Sequence, residues 1–90
     1  MAISDSKEVE ATLRALLADT LGLPAARIAR FRAETEMFGA LPEFDSMAVA
    51  TLLTGLEERF AILIEDDDVE AEDFATFGTL LAFVRRKTLV

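Results

Sequence analysis

A regularly spaced set of apolar residues in the middle of the chain constrains the fold more than any other feature. Large apolar side chains recur there at intervals of three and four residues: Val49, Leu52, Leu53, Leu56 and Phe60. Because an α-helix turns once every ~3.6 residues, this spacing places all five on one face of a helix from roughly Ser46 to Phe60. Other helices must cover that face. The predicted outward positions are Met47, Ala48, Thr51, Thr54, Gly55 and Glu58.

A second apolar set predicts a first helix from about Ser6 to Leu21. Asp5 and Glu8 have the spacing of a capping box at its start, and Gly22 is a typical residue after its end. Its inward positions are Val9, Leu13, Leu16, Leu17 and Leu21. The connection that follows, residues 22–44, is long for a compact domain, but it contains enough large apolar residues to pack over the helices.

We expect a short helical turn from Ala25 to Phe31 within this connection, with Ile28 and Phe31 pointing inward. After the central helix, residues 61–64 are apolar. Periodicity cannot distinguish a strand from a buried connector over so short a run. Because the chain has no second strand-like run to pair with it, we predict a buried connector.

Two further helices are predicted towards the C-terminus. Asp66 and Asp67 can cap a short third helix, with Val69 and Phe74 pointing inward. Thr76 is the predicted N-cap of a last helix that runs to about Lys87. Its inward positions are Phe77, Leu80, Leu81 and Val84. The chain is therefore predicted to be a single all-α domain over residues 1–90, a four-helix bundle with a short third helix and a long loop between helices 1 and 2.

The composition removes several kinds of chemistry. The chain contains no cysteine, so disulfides, thiolate nucleophiles and cysteine-bound metals are excluded. It also contains no histidine, the commonest general base near neutral pH and the commonest metal ligand. Asp66, Asp68 and Glu70 have the spacing of a calcium loop, but Ala71 replaces its glycine and Phe77 its bidentate glutamate. We therefore predict no metal site.

The charge is concentrated in the second half of the chain. The formal net charge is −8, and residues 34–84 contain thirteen acidic side chains and one basic side chain, Arg59. This region would repel nucleic acid and anionic membranes and attract basic protein surfaces. The start of the chain lacks the basic and apolar regions of a signal peptide, and no apolar run is long enough to span a bilayer. We expect a cytoplasmic protein with no nucleic-acid binding and no membrane insertion.

Ser46 stands at the start of the central helix, directly after Asp45. A helix N-terminus has unpaired N–H groups and the positive end of the helix dipole, so a phosphate attached to the Ser46 hydroxyl would be stabilised there. A hydrolase that uses Ser46 with Asp45 is a remote alternative, because no histidine or lysine base and no oxyanion motif accompany the serine. Asp45 can cap this helix, and Ser46 could also be a simple helix cap.

From residue 45 onward the sequence resembles the acyl carrier protein family. The similarity to the family's patterns lies in Asp45-Ser46-Met47, in Leu56-Glu57-Glu58-Arg59-Phe60 followed by Ile62, and in Thr76-Phe77-Gly78. The resemblance implies that Ser46 carries 4′-phosphopantetheine, added from coenzyme A by a phosphopantetheinyl transferase, and that Asp45 helps this enzyme to recognise the site. It further implies a carrier and not an enzyme, with acyl groups held as thioesters on the arm. An acyl chain could fold back among Leu52, Leu56, Ile62, Phe77 and Leu80.

Three features depart from the family pattern. Glu43 replaces the glycine that usually stands two residues before the aspartate, and the approach over residues 38–44 looks longer than in carriers of fatty acid synthesis. Ala48 and Thr51 replace acids in the first turns of the helix. The run over residues 39–49 is similar to discrete carriers of exopolysaccharide and exosortase systems. We therefore expect a specialised lipid, polyketide-like or exopolysaccharide-linked pathway.

The predicted partner surface is an apolar patch of Met47 and Ala48 with a rim of acids. The rim residues are Glu57, Glu58, Asp66, Asp67 and Asp68. Partners would be the transferase and acyl-loading or acyl-accepting enzymes with basic or apolar docking surfaces, acting on a monomer. The competing hypothesis is an acidic helical interaction module that binds basic partners and is never modified.

Overall fold

The computed structural model describes residues 6–88, and its regular structure there is helical, as predicted. The first two α-helices are α1, Ser6–Leu21, and α2, Ala25–Ala29. They are followed by α3, Ser46–Phe60, and α4, Phe77–Thr88. Two 3₁₀ turns, Asp66–Asp68 and Ala71–Phe74, connect α3 to α4. The capping box predicted at Asp5 lies outside the described residues.

The core lies between α1, α3 and α4, and it contains the predicted apolar faces. The five inward positions of α1 are buried, and Leu52, Leu56 and Leu80 are completely inaccessible. Burying a leucine side chain of this kind contributes about 1.5–3 kcal/mol relative to leaving it exposed. Phe83 of α4 is also buried, at 1% exposure, although it was not among the predicted inward positions.

Two residues that were predicted on the outward face of α3 point inward. Ala48 is only 9% exposed, because it lies one turn before Leu52 on the same side of the helix. Gly55 faces α1, and a Cβ added there would lie 2.7 Å from Leu16 Cδ1. The missing side chain therefore lets α1 and α3 approach closely, so Gly55 serves a helix–helix contact.

The connection between α1 and α3 is ordered by Arg14. The predicted short helix is present as α2, and Ile28 and Phe31 are buried. Arg14 donates to the carbonyls of Ile28 at 2.7 Å and Phe31 at 3.0 Å, pairs with Glu10, and lies 4.4 Å from the ring centre of Phe77. Through these two hydrogen bonds, Arg14 attaches this segment to α1.

The rest of the connection pairs with the start of α4. Four backbone hydrogen bonds of 2.9–3.1 Å join the two segments: Met37 N to Ala75 O, Phe38 N to Phe74 O, Phe77 N to Thr35 O, and Gly78 N to Ala33 O. A Cβ at Gly78 would lie 2.7 Å from the Ala33 carbonyl oxygen. Glycine is therefore required for this close backbone approach, which attaches the long loop to α4.

The segment after α3 differs in detail from the prediction. Residues 61–64 form a connector, but only Ile62 and Ile64 are half-buried, while Ala61 and Leu63 are exposed. Ala61 ends α3 in the left-handed conformation, with φ of 53° and ψ of 48°.

The short third helix takes the form of the two 3₁₀ turns. Asp66 and Asp67 do not cap it, since the N-cap positions are Glu65 and Glu70. The Glu65 N–H donates to Asp68 Oδ2 at 2.9 Å. In the second turn the Glu70 N–H donates to Asp73 Oδ2 at 2.8 Å. Each turn thus begins with a capping box between the N-cap glutamate and the aspartate three residues later in the chain. Val69 is half-buried and Phe74 buried, as expected.

The last helix begins as predicted, with Thr76 Oγ1 accepting from the Thr79 N–H at 3.1 Å. Its basic end is paired with acids from other elements. Lys87 Nζ lies 2.9 Å from Asp68 and the Arg86 guanidinium 3.5 Å from Asp73. Over the described part of the chain, no helix is both long and apolar enough to cross a bilayer.

Candidate functional site

The backbone before α3 is held in place by Phe44. This residue is 2% exposed, and its ring lies 6.1 Å from that of Phe38 and 6.2 Å from that of Phe74. Its N–H donates to the Leu41 carbonyl at 3.0 Å. Because Phe44 is buried on aromatic partners, the next residue, Asp45, leaves the core at a defined position.

Asp45 is the N-cap of α3, which confirms the capping prediction. Its backbone is extended, and its Oδ1 accepts from the Ala48 N–H at 2.9 Å. Its carbonyl accepts the first helical hydrogen bond, from the Val49 N–H at 3.0 Å. A cap of this kind typically stabilises a helix by about 1 kcal/mol.

Ser46 is the first residue of α3 and is exposed. Within residues 6–88, no hydrogen bond involves the N–H of Ser46 or of Met47, and no acidic side chain lies in the first turn of the helix. These N–H groups and the positive end of the helix dipole can therefore stabilise an anion. The site fits a phosphate ester on the Ser46 hydroxyl.

Two grooves meet at Ser46. The first, which we call the helix groove, has a volume of about 260 Å³ and lies between α3 and the second 3₁₀ turn. Its lining is mostly apolar: Phe38, Ser46, Val49, Leu53, Val69, Glu70, Ala71 and Phe74. The second, the loop groove, has about 360 Å³ and is lined by residues 38–42 with Phe44, Asp45 and Ser46.

The helix groove is not lined by any of the residues among which the sequence prediction placed a folded-back acyl chain: Leu52, Leu56, Ile62, Phe77 and Leu80. Leu52, Leu56, Phe77 and Leu80 are each at most 2% exposed and none of them lines the groove. They fill the interior because their side chains interdigitate between the helices. The open space lies nearer the surface, beside Val49 and Leu53, which are half-buried.

The structure does not bring the predicted partner-binding residues together. Met47 is 79% exposed, whereas Ala48 is buried and cannot form an apolar patch with it. Glu57 and Glu58 lie ten or more residues further along α3, about 15 Å from Met47. Glu57 is also half-buried, and its Oε2 accepts from the Ile64 N–H at 2.9 Å.

The acidic segment is only partly available for partners. Asp66 and Asp67 are exposed, but Asp68 accepts from the Glu65 N–H and from Lys87. The backbone hydrogen bond from Glu65 and, next, the bond from Lys87 lower the pKa of the Asp68 carboxyl. Across the described residues, no three carboxylates are arranged to hold a metal ion.

The residue that the sequence prediction missed is Phe38. It is 43% exposed and lies in the wall of both grooves. The following residue, Gly39, has a φ of +90°. A glycine directly after a large apolar residue in a loop was the available signal, because a positive φ turns the chain sharply.

This compact helical domain presents Ser46 at the N-terminus of α3, an arrangement suited to carrying a covalently attached group, and comparison with known proteins agrees. The family model described as "Phosphopantetheine attachment site" matches residues 11–85. The chain is 34% identical over 71 residues to an acyl carrier protein from an Exiguobacterium species, with 79% of this chain and 82% of the relative covered.

A solved structure is similar as well. The solution NMR structure of a holo acyl carrier protein from Nitrosomonas europaea matches with a TM-score of 0.75 and 40% identity. The match covers 87% of this chain and 92% of that one. The chain belongs to the acyl carrier protein family, which confirms the resemblance seen in the sequence, the fold, and 4′-phosphopantetheine as the covalent cofactor. Members of this family are carriers and not enzymes, and they interact with a phosphopantetheinyl transferase and with acyl-handling enzymes.

Proposed function

We propose that Ser46 is the residue to which 4′-phosphopantetheine is attached. The observation that carries this proposal is the exposed hydroxyl at the first position of α3, beside two backbone N–H groups that have no hydrogen-bond partner among the described residues. The Ser46 oxygen forms a phosphodiester with the phosphopantetheine half of coenzyme A, the hydroxyl proton is lost, and the nucleotide half leaves. When bound, the group supplies a thiol that holds an acyl group as a thioester.

Three groups of the chain support the new phosphodiester. The N–H groups of Ser46 and Met47 lie at the positive end of the helix dipole, which favours the negative charge. Asp45 keeps the first turn of α3 in place through its bond to the Ala48 N–H. Because Phe44 is buried, this turn remains at a defined height above the core.

The test is intact-mass spectrometry after incubation with coenzyme A and a broad-specificity phosphopantetheinyl transferase. We expect wild-type protein to gain one phosphopantetheine and Ser46→Ala to gain none. Ser6→Ala is the matched control, since Ser6 is also exposed, begins a helix and follows an aspartate. A mass gain that survives in Ser46→Ala, or no gain with several transferases, would contradict the proposal. The second result would favour the unmodified interaction module.

We propose further that the helix groove holds the acyl chain. Its walls are apolar except for Ser46 and Glu70, and a buried apolar cavity of about 150 Å³ already accommodates benzene. A groove of about 260 Å³ therefore suits a short acyl chain. Thermal unfolding of forms loaded with acyl groups of increasing length should show stabilisation that stops increasing once the groove is full. Equal stability of unloaded and acylated forms would argue against this role.

The pathway proposed for the chain is a specialised one, lipid, polyketide-like or exopolysaccharide-linked. This proposal is supported by Glu43, by the long loop, and by the absence of acids in the first turn of α3. Identification of the thioester-bound group on protein purified from its native host tests it, and an ordinary long-chain fatty acyl group would contradict it. We also propose a cytoplasmic monomer, to be checked by cell fractionation and by light scattering during gel filtration.

A further inference from the structure

We propose that the loop groove is a docking site for an apolar side chain of the transferase that modifies Ser46. This inference rests on the proposed attachment at Ser46. The groove is lined by residues 38–42 on one side and by Asp45 and Ser46 on the other. An enzyme that reaches the Ser46 hydroxyl must therefore place atoms over this groove.

The groove is built for an apolar contact. Residues 38–42 are Phe-Gly-Ala-Leu-Pro, with no charged or hydrogen-bonding side chain. Phe38 is 43% exposed, and the other exposed large apolar side chains among residues 6–88 are Met47 at 79% and Leu63 at 67%. Aromatic side chains, Phe among them, are enriched in protein–protein interfaces, and exposed apolar patches mark such sites.

Phe38 is held in place by contacts with buried residues. Its ring makes an edge contact with that of Phe44 at 6.1 Å, and its N–H donates to the Phe74 carbonyl at 3.1 Å. Both partners are buried. A partner that binds here would pay little conformational entropy, because Phe38 need not be ordered again.

Among the described residues that line the groove, only Asp45 is charged. Glu43 and Arg27 form an ion pair at 3.7 Å, so their charges offset each other at its edge. The Asp45 carboxylate is bonded to the Ala48 N–H, and no acid follows in the first turn of α3. The apolar contact should therefore dominate, and the association should depend only weakly on salt.

The test compares rates of phosphopantetheine transfer from coenzyme A by a broad-specificity transferase at varied carrier concentration. We expect Phe38→Ala to raise KM for the carrier about tenfold, with kcat within about twofold of wild type. Leu63→Ala is the matched control, because Leu63 is 67% exposed and lies after the far end of α3. It should leave both constants unchanged.

A conservative variant guards against a folding artefact. Phe38→Leu keeps an apolar side chain in the groove and should recover most of the loss in KM, and thermal unfolding verifies that every variant is folded. Equal KM values for wild type and Phe38→Ala would overturn the docking site alone, as would a steep decline of wild-type kcat/KM between low and physiological salt. Failure of wild type to be modified would overturn the attachment proposal together with it.

Discussion

The N-termini of α3 and α4 are capped alike but used in opposite ways. Each begins after a residue whose side-chain oxygen accepts from an N–H three residues later, Asp45 for α3 and Thr76 for α4. At α4 the next two N–H groups are also taken, by carbonyls of the long loop. At α3 the corresponding groups, those of Ser46 and Met47, have no such partner among residues 6–88.

This difference separates a structural helix end from a binding end. Every helix N-terminus has N–H groups without partners inside the helix, and they must find acceptors elsewhere. When the acceptors belong to the chain, as at Gly78 and Ala33, the helix end holds the loop in place. When the donors remain exposed, as at Ser46, they remain available to an anion. The loop that closes α4 also leads directly into α3.

Amide hydrogen exchange should show the largest contrast between the two ends. The N–H groups of Phe77 and Gly78 are bonded to Thr35 and Ala33, so their exchange requires the loop to detach. We expect them to exchange at least about a thousandfold more slowly than those of Ser46 and Met47, after correction for intrinsic rates. NMR of the unmodified protein measures this, and comparable rates at both ends would abolish the distinction.

The next largest effect is expected at the N-terminus of α4, which pairs with the loop. Gly78→Ala places a Cβ 2.7 Å from a backbone oxygen, which cannot rotate away, so the loop must shift. We expect a loss of about 1–3 kcal/mol in the free energy of unfolding, measured in urea. Gly55→Ala is the matched control. The new Cβ would meet only the flexible end of the Leu16 side chain, and alanine is more favourable than glycine inside a helix. Equal losses would mean that the loop pairing does not depend on Gly78.

Removal of either cap should cost similar stability but have different functional consequences. Asp45→Ala and Thr76→Ala should each lower the free energy of unfolding by about 1 kcal/mol. Only Asp45→Ala should also slow phosphopantetheine transfer, because only α3 begins with the proposed attachment residue. Asp45→Asn retains a capping oxygen and separates the role of the cap from that of the charge. If Thr76→Ala slowed the transfer as much, the two ends would be functionally coupled.

The smallest effect concerns the first 3₁₀ turn between α3 and α4. The carboxylate of Asp68 accepts from the Glu65 N–H at the start of this turn. The pKa of this carboxyl is lowered, first by the Glu65 N–H and then by Lys87. A lowered folded-state pKa stabilises the protein above the unfolded value, about 4, and this stabilisation is lost as the pH falls through the folded-state pKa. In Asp68→Asn the free energy of unfolding should therefore decrease slightly less steeply as the pH falls below about 5. Urea unfolding at a series of pH values measures this. An unchanged pH dependence would show that these bonds contribute nothing.

The sequence predicted those features that depend on residues close together in the chain. The bounds of α1 and α3, the short helix α2, and the caps at Asp45 and Thr76 follow from helical spacing and from side chains that bond to nearby N–H groups. The candidate attachment residue belongs to this group, because its place at a helix start is a local property. These local signals also carried the resemblance to the family.

Only the tertiary structure determined the contacts between distant segments. Nothing in the local pattern required Gly78 to contact Ala33. Nor did it require the Glu57 carboxylate to accept from the Ile64 N–H, which makes Glu57 less available to a partner. The exposure of Phe38 likewise depends on how the loop pairs with residues 74–78. Helical periodicity specifies which residues share a face, but which faces meet, and which donors remain open, is determined only when the helices pack together.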